Sequence, residues 1–408
     1  MARPLRFCMV TTFYPPYNFG GDGIFVHRLA NRLAAMGHRV DVIHCRDAYR
    51  LCARENTAHA YEDHPNVTVH GLESPFGPLS PLATHQTGFP FFKARSLRRI
   101  MEKDFDVIHF HNISLVGGPK ILEYGRGIKL YTAHEYWLFC PTHLLYSWKQ
   151  APCLHPRMCA VCCLAQGGPP QWWRSLGLMD RYVRHLDALI CPSEFCRGIY
   201  QKRLPRLPVV HIPIFSSHER DVQAHDPDWK PSAPYFLFVG RLEKIKGLQS
   251  LIPVFRRYRG ARLLVAGSGS YEAKLKSLAQ GCDAIQFLGR QSGPRLRTLY
   301  RHAVALIVPS LCFEIFGTVI IEAFSEGTPV IVQDQGGMPE VVRESGGGYV
   351  YGSDEELVAA MDSLLHDEER RRSLGNAALN SYREKWTAEK HLDGYLALIE
   401  DLTARKSN

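Results

Sequence analysis

The sequence contains two long runs in which short apolar segments alternate with helical patterns, and this repetition limits the possible folds more than any other feature. In the first run, strands are predicted at 5–10, 39–45, 105–111, 129–135 and 187–193. In the second run, they are predicted at 234–241, 261–267, 285–289, 304–310 and 329–334. Apolar, β-branched segments separated by helices are typical of parallel sheets that are buried on both faces. The predicted fold class is therefore α/β, with two Rossmann-like doubly wound domains facing a central cleft.

A polar, proline-bearing segment at 215–234 separates the two runs and is typical of a linker. We expect an N-terminal Rossmann-like domain over 1–212, with a cysteine-rich insert at about 138–170. A second domain should cover 213–380. The last segment, 381–408, is predicted to be a helix that packs back towards the N-terminal domain.

Length and charge restrict the class of protein. A chain of 408 residues can form two cores, and no apolar run approaches the roughly 20 residues that cross a bilayer. The first apolar run is too short for a signal peptide, so we expect a cytoplasmic protein. Residues 1–212 hold 25 Lys and Arg against 15 Asp and Glu, whereas the remainder holds 24 against 25. The first half therefore either faces an anionic partner or carries a solvated basic surface.

The second half contains four motifs in sequence: GRLEKIKG with Arg241 and Lys246, AGSGS, EIFGTVIIE with Glu314 and Glu322, and GGMPE. When a sugar leaves a nucleoside diphosphate, negative charge grows on the phosphates, and a metal ion or basic side chains must neutralise it. Arg241 and Lys246 supply two cations, and a helix beginning near Gly317 supplies N–H groups and the positive end of its dipole. A carboxylate such as Glu322 can accept hydrogen bonds from both hydroxyls of a ribose.

In this order the motifs resemble those of family 4 glycosyltransferases, which have the GT-B fold, and the resemblance covers essentially the whole chain. It implies a retaining, metal-independent enzyme that moves a hexose-type sugar from a nucleoside-diphosphate-sugar to a glycan or lipid-linked glycan. The second domain would then bind the donor and the first the acceptor. Arg241 and Lys246 would hold the pyrophosphate, and Glu314 would contact the sugar or stabilise positive charge at its anomeric carbon. The other implied donor contacts are Glu322 at the ribose, the backbone of Phe316, Gly317 and Thr318 at the sugar and phosphates, and Leu288 and Arg290 at the nucleobase.

The first half adds a glycine-rich turn, YPPYNFGGDG, which resembles the turn after the first strand in this family. The resemblance implies that Gly20, Gly21 and Asp22 approach the donor phosphates or the acceptor, although such glycines also suit a plain strand–helix turn. The resemblance implies no catalytic metal or cofactor, and the pair Asp226–Asp228, which has Asp-x-Asp spacing, falls in the linker.

A second match in the first half is TAHEYW, which places His134 at a strand end. The family has a histidine here that faces the donor sugar, where it assists departure of the leaving group or orients the sugar. The usual next residue is aspartate, whereas this chain has Glu135. Of the nearby histidines, we expect His109 in the core and His111 in the lining of the cleft.

Cysteines are concentrated after this strand. Cys159 and Cys162 have the C-x2-C spacing that is common in structural zinc sites, and Cys140 and Cys153 would complete four ligands. Such a site would be structural, because four thiolates leave no open position on the metal. The alternative is a loop of reduced, partly buried thiols.

Two segments combine aromatic and basic residues, 91–103 and 171–187. Such segments can lie on an anionic membrane, which suits an enzyme of exopolysaccharide, lipopolysaccharide or glycolipid synthesis at the inner face of the cytoplasmic membrane. The alternative is that they are ordinary amphipathic helices. No nucleic-acid motif accompanies them. Two other functions stay open for the whole chain, a nucleotide-sugar epimerase and a non-catalytic protein that binds a sugar nucleotide.

Overall fold

The computed structural model describes residues 3–18, 20–52, 61–153, 158–216 and 231–407. The pair Asp226–Asp228 lies outside these described residues. The chain divides into two compact units. The first unit comprises Met1–Pro192, Cys196–Ile212 and Asp393–Asn408, and the second comprises Ser193–Phe195 and Pro213–Leu392.

Within the described residues the strands are β1 (Arg6–Val10), β2 (Arg39–Cys45), β3 (Val67–Leu72), β4 (Val107–Phe110), β5 (Ile128–Thr132), β6 (Ala188–Cys191), β7 (Val209–His211), β8 (Tyr235–Val239), β9 (Arg262–Ala266), β10 (Ile285–Gly289), β11 (Leu306–Val308), β12 (Val330–Gln333) and β13 (Gly348–Tyr351). The α-helices are α1 (Gly21–Ala35), α2 (Arg46–Cys52), α3 (Leu79–Thr87), α4 (Ala94–Met101), α5 (Cys159–Ala165), α6 (Leu178–Val183), α7 (Glu194–Arg203), α8 (Leu248–Arg257), α9 (Glu272–Leu278), α10 (Gly293–His302), α11 (Thr318–Ser325), α12 (Met338–Ser345), α13 (Asp354–His366), α14 (Glu368–Lys385) and α15 (Ala388–Ser407). Short 3-10 helices occur at Phe91–Lys93, Pro119–Glu123, Trp172–Leu176 and Lys244–Lys246.

Each unit contains one parallel sheet. The strand order is β3-β2-β1-β4-β5-β6-β7 in the first unit and β10-β9-β8-β11-β12-β13 in the second. In both sheets the order reverses after the first strand of the unit, so the topology is doubly wound, and the predicted α/β class is confirmed. The reversal lies between β1 and β4 in one unit and between β8 and β11 in the other.

The central strands are almost entirely apolar, and the structure buries them. In β8 the four residues Tyr235–Phe238 are at most 2% exposed, and Phe236 and Phe238 pack in a core with Leu263 and Ile307 from the neighbouring strands. Strands with helices on both faces have no polar side, so chemically active side chains must lie in the loops at the strand ends. This places the predicted motifs at one edge of each sheet.

The C-terminal segment contains two helices rather than the single helix predicted over 381–408. Helix α14 ends at Lys385, and α15 begins at Ala388. The break occurs because Trp386 leaves the helical path and is buried, with its ring 5.8 Å from that of Phe324. Residues from Asp393 onward belong to the first unit, where the Tyr395 hydroxyl lies 2.9 Å from Nδ1 of His109. Every helix in the described part of the chain is too short or too polar to cross a bilayer.

Gly247 determines how the loop after β8 approaches the loop after β11. Its φ is +75°, and a Cβ atom at this position would lie 1.8 Å from the carbonyl oxygen of Pro309. The N–H of Leu311 donates to the carbonyl of Ile245 at 2.9 Å, so the two loops also share a backbone hydrogen bond. Only glycine permits this approach.

We expect Gly247→Ala to destabilise the second unit by about 3 kcal/mol or more, since it adds a steric clash to the roughly 1–2 kcal/mol cost of a left-handed residue. Urea unfolding followed by circular dichroism measures the change. Gly281→Ala is the matched control, because Gly281 has a φ of +73° but no atom within 4 Å of an added Cβ. Equal losses for the two variants would show that the contact with Pro309 is unimportant.

Candidate active site

The motif loops of the second unit follow neighbouring strands at one edge of its sheet. The N–H of Gly240, after β8, donates to Ala266 at the end of β9 at 3.1 Å. The N–H of Gly267 donates in turn to Gly289 at the end of β10 at 2.9 Å. Parallel strands end on the same side, so Leu288 near the end of β10 and the loops that carry Arg241, Lys246, Glu314 and Arg290 all lie at the carboxyl edge, where ligands bind in open α/β sheets.

Lys246 and Glu314 form an ion pair across the point where the strand order reverses. Lys246 Nζ lies 2.5 Å from Glu314 Oε1, and the Ser310 hydroxyl donates to the same oxygen at 2.7 Å. The side chains are 25% and 16% exposed, so the pair is largely shielded from water but still accessible to a ligand. Lysine has three N–H donors, which leaves Lys246 able to bind an anion while it keeps Glu314.

This environment keeps Glu314 ionised. Burial alone would raise its pKa, but the Lys246 ammonium, the Ser310 hydroxyl and the positive charge of Arg241 outweigh burial, and the pKa of Glu314 falls below its ordinary value. A carboxylate with a lowered pKa is a weak base. Glu314 is therefore suited to stabilising positive charge rather than to removing a proton.

Helix α11 begins beside this pair. Its N-cap, Gly317, has a φ of +93° and no side chain, so no side-chain cap covers the first N–H groups of the helix. Phe316 is buried, which anchors the start of the helix, and Thr318 is its first residue. The amide end of α11 can accordingly receive a phosphate or another anionic group.

Glu322 lies one turn into α11 and is held by a buried tyrosine. The Tyr300 hydroxyl donates to Glu322 Oε2 at 3.0 Å, and burial followed by the nearby carboxylate raises the pKa of Tyr300 well above its ordinary value. Tyr300 therefore stays protonated and fixes the rotamer of Glu322. The second carboxylate oxygen can still accept hydrogen bonds.

The GGMPE segment supports the backbone on which Glu314 lies. The N–H of Gly337 donates to the Glu314 carbonyl at 2.8 Å, and a Cβ atom at Gly336 would lie 2.4 Å from that oxygen. Glu340 accepts from the N–H groups of Glu194 and Phe195 at 2.7 and 2.8 Å. This motif is structural: it positions the loop of Glu314 through close backbone contacts.

In the first unit, the loop after β1 is joined to the loop after β4. Asn112 Nδ2 donates to Asp22 Oδ2 at 3.3 Å, and the Thr12 hydroxyl lies 3.1 Å from Asn112 Oδ1. Asp22 folds back over the turn, so that a Cβ atom at Gly20 would lie 2.7 Å from its carboxylate. Gly21 has open space around it and begins α1. The glycine turn thus places Asp22 and the amide end of α1 at the carboxyl edge of this sheet.

His134 follows β5 and is hydrogen-bonded to a second histidine. Its Nε2 atom lies 3.0 Å from Nδ1 of His111, and the ring of Phe25 packs edge-on against it at 5.3 Å. Burial lowers the pKa of His134, although the carboxylates of Asp22 and Glu135 favour its protonated form. His134 is therefore neutral at pH 7, and one of the two rings donates the hydrogen bond that they share.

The other histidines differ in part from expectation. His109 is buried as predicted, with Nε2 2.8 Å from the Thr132 hydroxyl. His111 was expected to line the cleft, but it is only 1% exposed because its ring stacks between those of His109 and His134. It supports His134 from within the unit.

The cysteine-rich insert contains free thiols. Burial raises the pKa of Cys159 to about 11, and the neighbouring Cys140, Cys162 and Cys153 add to the increase. In the described part of the chain, no three His, Cys, Asp or Glu side chains are placed to hold a metal ion. The structure therefore gives no geometric support to zinc at Cys140, Cys153, Cys159 and Cys162, and that site stays a prediction.

Three site residues were not found from the sequence: Ser310, Tyr300 and Asn112. Tyr300 and Asn112 lie 22 and 100 residues along the chain from the partners Glu322 and Thr12. Ser310 is only four residues from Glu314, but serine is a common residue at the end of a strand. Ser310 and Asn112 share one usable signal, since Ser310 ends a predicted strand and Asn112 directly follows one. Tyr300 lies on the buried side of α10 and resembles any core aromatic in sequence.

We expect Lys246→Met to destabilise the protein by about 2 kcal/mol at neutral pH, because Glu314 loses its cation while it stays buried. Since the pKa of Glu314 is lowered, the pair stabilises the folded state above about pH 4.5, and this contribution is lost as the pH falls through the folded pKa. The difference between the variant and the wild type should therefore shrink below pH 4.5. Urea unfolding at several pH values tests this. Lys276→Met removes the more exposed partner of Glu272 and should change stability by less than about 1 kcal/mol at every pH.

We expect His111→Leu to release His134 into a mixture of tautomers, whereas His111→Asn should preserve one, because the asparagine amide can still form a hydrogen bond from the position of Nδ1. Two-bond ¹⁵N–¹H spectra of histidine-labelled protein, with the His134 signal assigned by a His134→Asn variant, report the tautomer. An unchanged His134 signal in His111→Leu would mean that His111 does not set the state of His134.

Comparison with known proteins identifies the family. The model for glycosyltransferase family 4 matches residues 19–220, and that for group 1 glycosyl transferases matches residues 219–381. A D-inositol 3-phosphate glycosyltransferase from Nocardia farcinica is 33% identical over 97% of this chain and 90% of its own length. A lipopolysaccharide 1,2-N-acetylglucosaminetransferase from Salmonella typhimurium is 28% identical over 45% of this chain and 54% of its own.

Solved structures agree on the fold. Sucrose-phosphate synthase from Thermosynechococcus elongatus has a TM-score of 0.74 at 20% identity and covers 98% of this chain and 100% of its own. HepE from Anabaena, solved with UDP and glucose, has a TM-score of 0.66 at 17% identity and covers 97% of this chain and 100% of its own. This chain is therefore a member of the family 4 glycosyltransferases, and it has their GT-B fold.

Proposed function

We propose that this enzyme transfers a hexose-type sugar from a nucleoside diphosphate to a glycan or lipid-linked glycan, without a catalytic metal and with retention of anomeric configuration. The observation that carries the proposal is the ion pair of Lys246 with Glu314, beside Arg241, at the reversal point of the second sheet. It combines two cations for a diphosphate with one carboxylate that stays ionised.

The donor contacts follow from these charges. Arg241 and Lys246 neutralise the charge that grows on the leaving diphosphate, and the N–H groups at the start of α11 add the positive end of the helix dipole. Glu322, whose rotamer is fixed by Tyr300, accepts from the ribose hydroxyls. Leu288 and Arg290, at the end of the edge strand β10, are the proposed contacts of the nucleobase.

The reacting sugar requires positive charge to be stabilised at its anomeric carbon. Glu314 provides a carboxylate for this in the second unit. In the first unit, neutral His134 offers one ring nitrogen to a sugar hydroxyl while the other is engaged by His111. Gly20, Gly21 and Asp22 form the matching turn, with open space at Gly21 for the close approach of a ligand.

The relatives suggest the class of donor and acceptor. HepE was solved with UDP and glucose, so uridine diphosphate sugars are the first donors to test. The Salmonella relative acts in lipopolysaccharide synthesis, which supports a polysaccharide or lipid-linked acceptor. Such an acceptor would bring a cytoplasmic enzyme to the inner face of the cytoplasmic membrane.

Donor binding is tested by thermal shift in EDTA against UDP, GDP, ADP, CMP and their sugar conjugates. A ligand at 100 times its Kd adds about 2.7 kcal/mol of stability, so one diphosphate should produce a clear shift. We expect the shift to be lost in Arg241→Ala and Lys246→Ala and to persist in Lys276→Met, which removes a more exposed lysine.

The product then distinguishes the alternatives. NMR of the new glycosidic bond should show the anomeric configuration of the donor, at a rate that EDTA does not change. Conversion of the donor sugar without an acceptor would indicate an epimerase. Donor binding with no product from any polysaccharide or lipid-linked acceptor would favour a binding protein. A shift that requires Mg²⁺ would contradict the metal-independent site.

A further inference from the structure

The first unit exposes an unusual number of apolar side chains in two stretches of sequence. In the part of the chain that the structure describes, fifteen large apolar residues are exposed, and eleven of them lie in 74–101 or 136–179. Trp172 and Leu176 are 67% and 74% exposed, and Phe91 is 59% exposed. Scattered exposed apolar residues need no explanation, but a concentration of them marks an interaction surface.

The same two stretches contain no acidic residue. The first stretch lies between Glu73 and Glu102 and the second between Glu135 and Asp180, and together their 72 residues contain 7 Lys and Arg. Apolar exposure and the absence of negative charge therefore coincide. A surface that faces only water or a neutral partner does not require exposed apolar side chains together with an excess of positive charge.

Contacts within the first unit bring the exposed apolar groups onto neighbouring elements. Phe76, just before α3, stacks on Phe92 with ring centroids 4.2 Å apart. The Trp173 indole N–H donates to the carbonyl of His85 in α3 at 2.8 Å, which fixes the 3-10 helix of Trp172 and Leu176 against α3. We call the resulting set the apolar face, and it consists of Phe76, Leu79, Phe91, Phe92, Trp172 and Leu176.

Two arginines lie on the same side of the chain as Phe92, next to the apolar face. Phe92, Arg95 and Arg99 are spaced three and four residues apart through the 3-10 helix and α4, so they share the outer side, while Leu97 and Ile100 are buried on the inner side. Within the described residues, Arg95 and Arg99 form no ion pair, so their charges are available to a partner.

We propose that the apolar face is a membrane-docking surface that inserts Phe91, Phe92 and Trp172 between the headgroups of an anionic bilayer. Aromatic rings favour the interface between headgroups and acyl chains, and unpaired arginines add attraction to anionic lipids. A second copy of the chain fits poorly, because a two-fold interface is built from the same patch on both copies, and neither stretch contains an acidic residue that could pair with Arg95 or Arg99 of the other copy. The proposal is independent of the transfer reaction, since docking needs no donor.

Sedimentation of the full chain with vesicles tests this surface. We expect binding to phosphatidylcholine vesicles that contain about one third phosphatidylglycerol, and weak binding to phosphatidylcholine alone. Salt should weaken the binding, because it screens exposed charges. Arg95→Gln and Arg99→Gln should each reduce the partition coefficient about fivefold, which corresponds to about 1 kcal/mol per charge.

Matched variants distinguish vesicle binding through the apolar face from nonspecific hydrophobic binding. Phe91→Ser and Trp172→Ser should reduce vesicle binding severalfold, whereas Met36→Ser and Leu278→Ser, which remove exposed apolar groups elsewhere, should not. Arg262→Gln is the control for charge, since this exposed arginine lies at the start of β9 in the second unit. Donor thermal shifts in all these variants should equal that of the wild type, so a failure of the proposed function is distinguishable from a failure of docking.

Tryptophan fluorescence locates the contact. Brominated lipids should quench the wild type, and Trp172→Phe should lose much of this quenching while it still sediments with vesicles. Unchanged quenching in Trp172→Phe would overturn the assignment to this face. Absence of vesicle binding by the folded wild type would also overturn it, as would a lipid-free oligomer that Trp172→Ser dissociates.

Discussion

The parallel pairing of the strands is the constraint on which the site depends. Because every strand in a sheet runs in the same direction, the loops that follow β8, β9, β10 and β11 lie along one edge. The central strands are buried on both faces and contain few polar groups. The polar side chains of the site therefore follow the strand ends at that edge, and the reversal between β8 and β11 leaves a gap there. Lys246 and Glu314 face each other across this gap, held by the close backbone approach of Gly247 to Pro309.

Burial has opposite outcomes for the titratable groups of the two units: Glu314 stays charged, whereas His134 is neutral. In the second unit, the cost of burying a carboxylate is offset by a cation, a hydroxyl and the field of Arg241, so Glu314 stays charged. In the first unit, burial outweighs the effect of two carboxylates on the pKa of His134, so His134 is neutral, and its hydrogen-bond partner is another histidine, His111. One unit thus presents fixed charge and the other a neutral donor and acceptor. In both units neighbouring side chains hold these groups in place, and fixed charges and dipoles are what electrostatic stabilisation of a transition state requires.

The sequence predicted those features that depend on local pattern. Ten strands were expected, and the structure has a strand at each position, because continuous apolar runs such as YFLFV have few alternatives. The missed strands β3, β7 and β13 are short or have mixed exposure, as in VTVHGL and GYVY. Contacts between distant residues were beyond local pattern: Lys246 and Glu314 are 68 residues apart, and Tyr300 and Glu322 are 22 apart. The family resemblance supplied the first pair as separate site residues, whereas nothing in the sequence indicated the second.

Glu135 illustrates how one departure from a family pattern can be explained physically. The family usually has aspartate after the strand-end histidine. Here Glu135 Oε2 lies 2.6 Å from Nδ1 of His143, a residue with a φ of +71° near the start of the cysteine-rich insert. An aspartate is shorter by one methylene and would not reach this ring without movement of the backbone. The Glu135 carbonyl also accepts from the Tyr200 hydroxyl at 2.7 Å, so its main chain is fixed from the other side. The longer side chain therefore ties the insert to the loop that holds His134, and an insert of this kind is a reason for glutamate to replace aspartate.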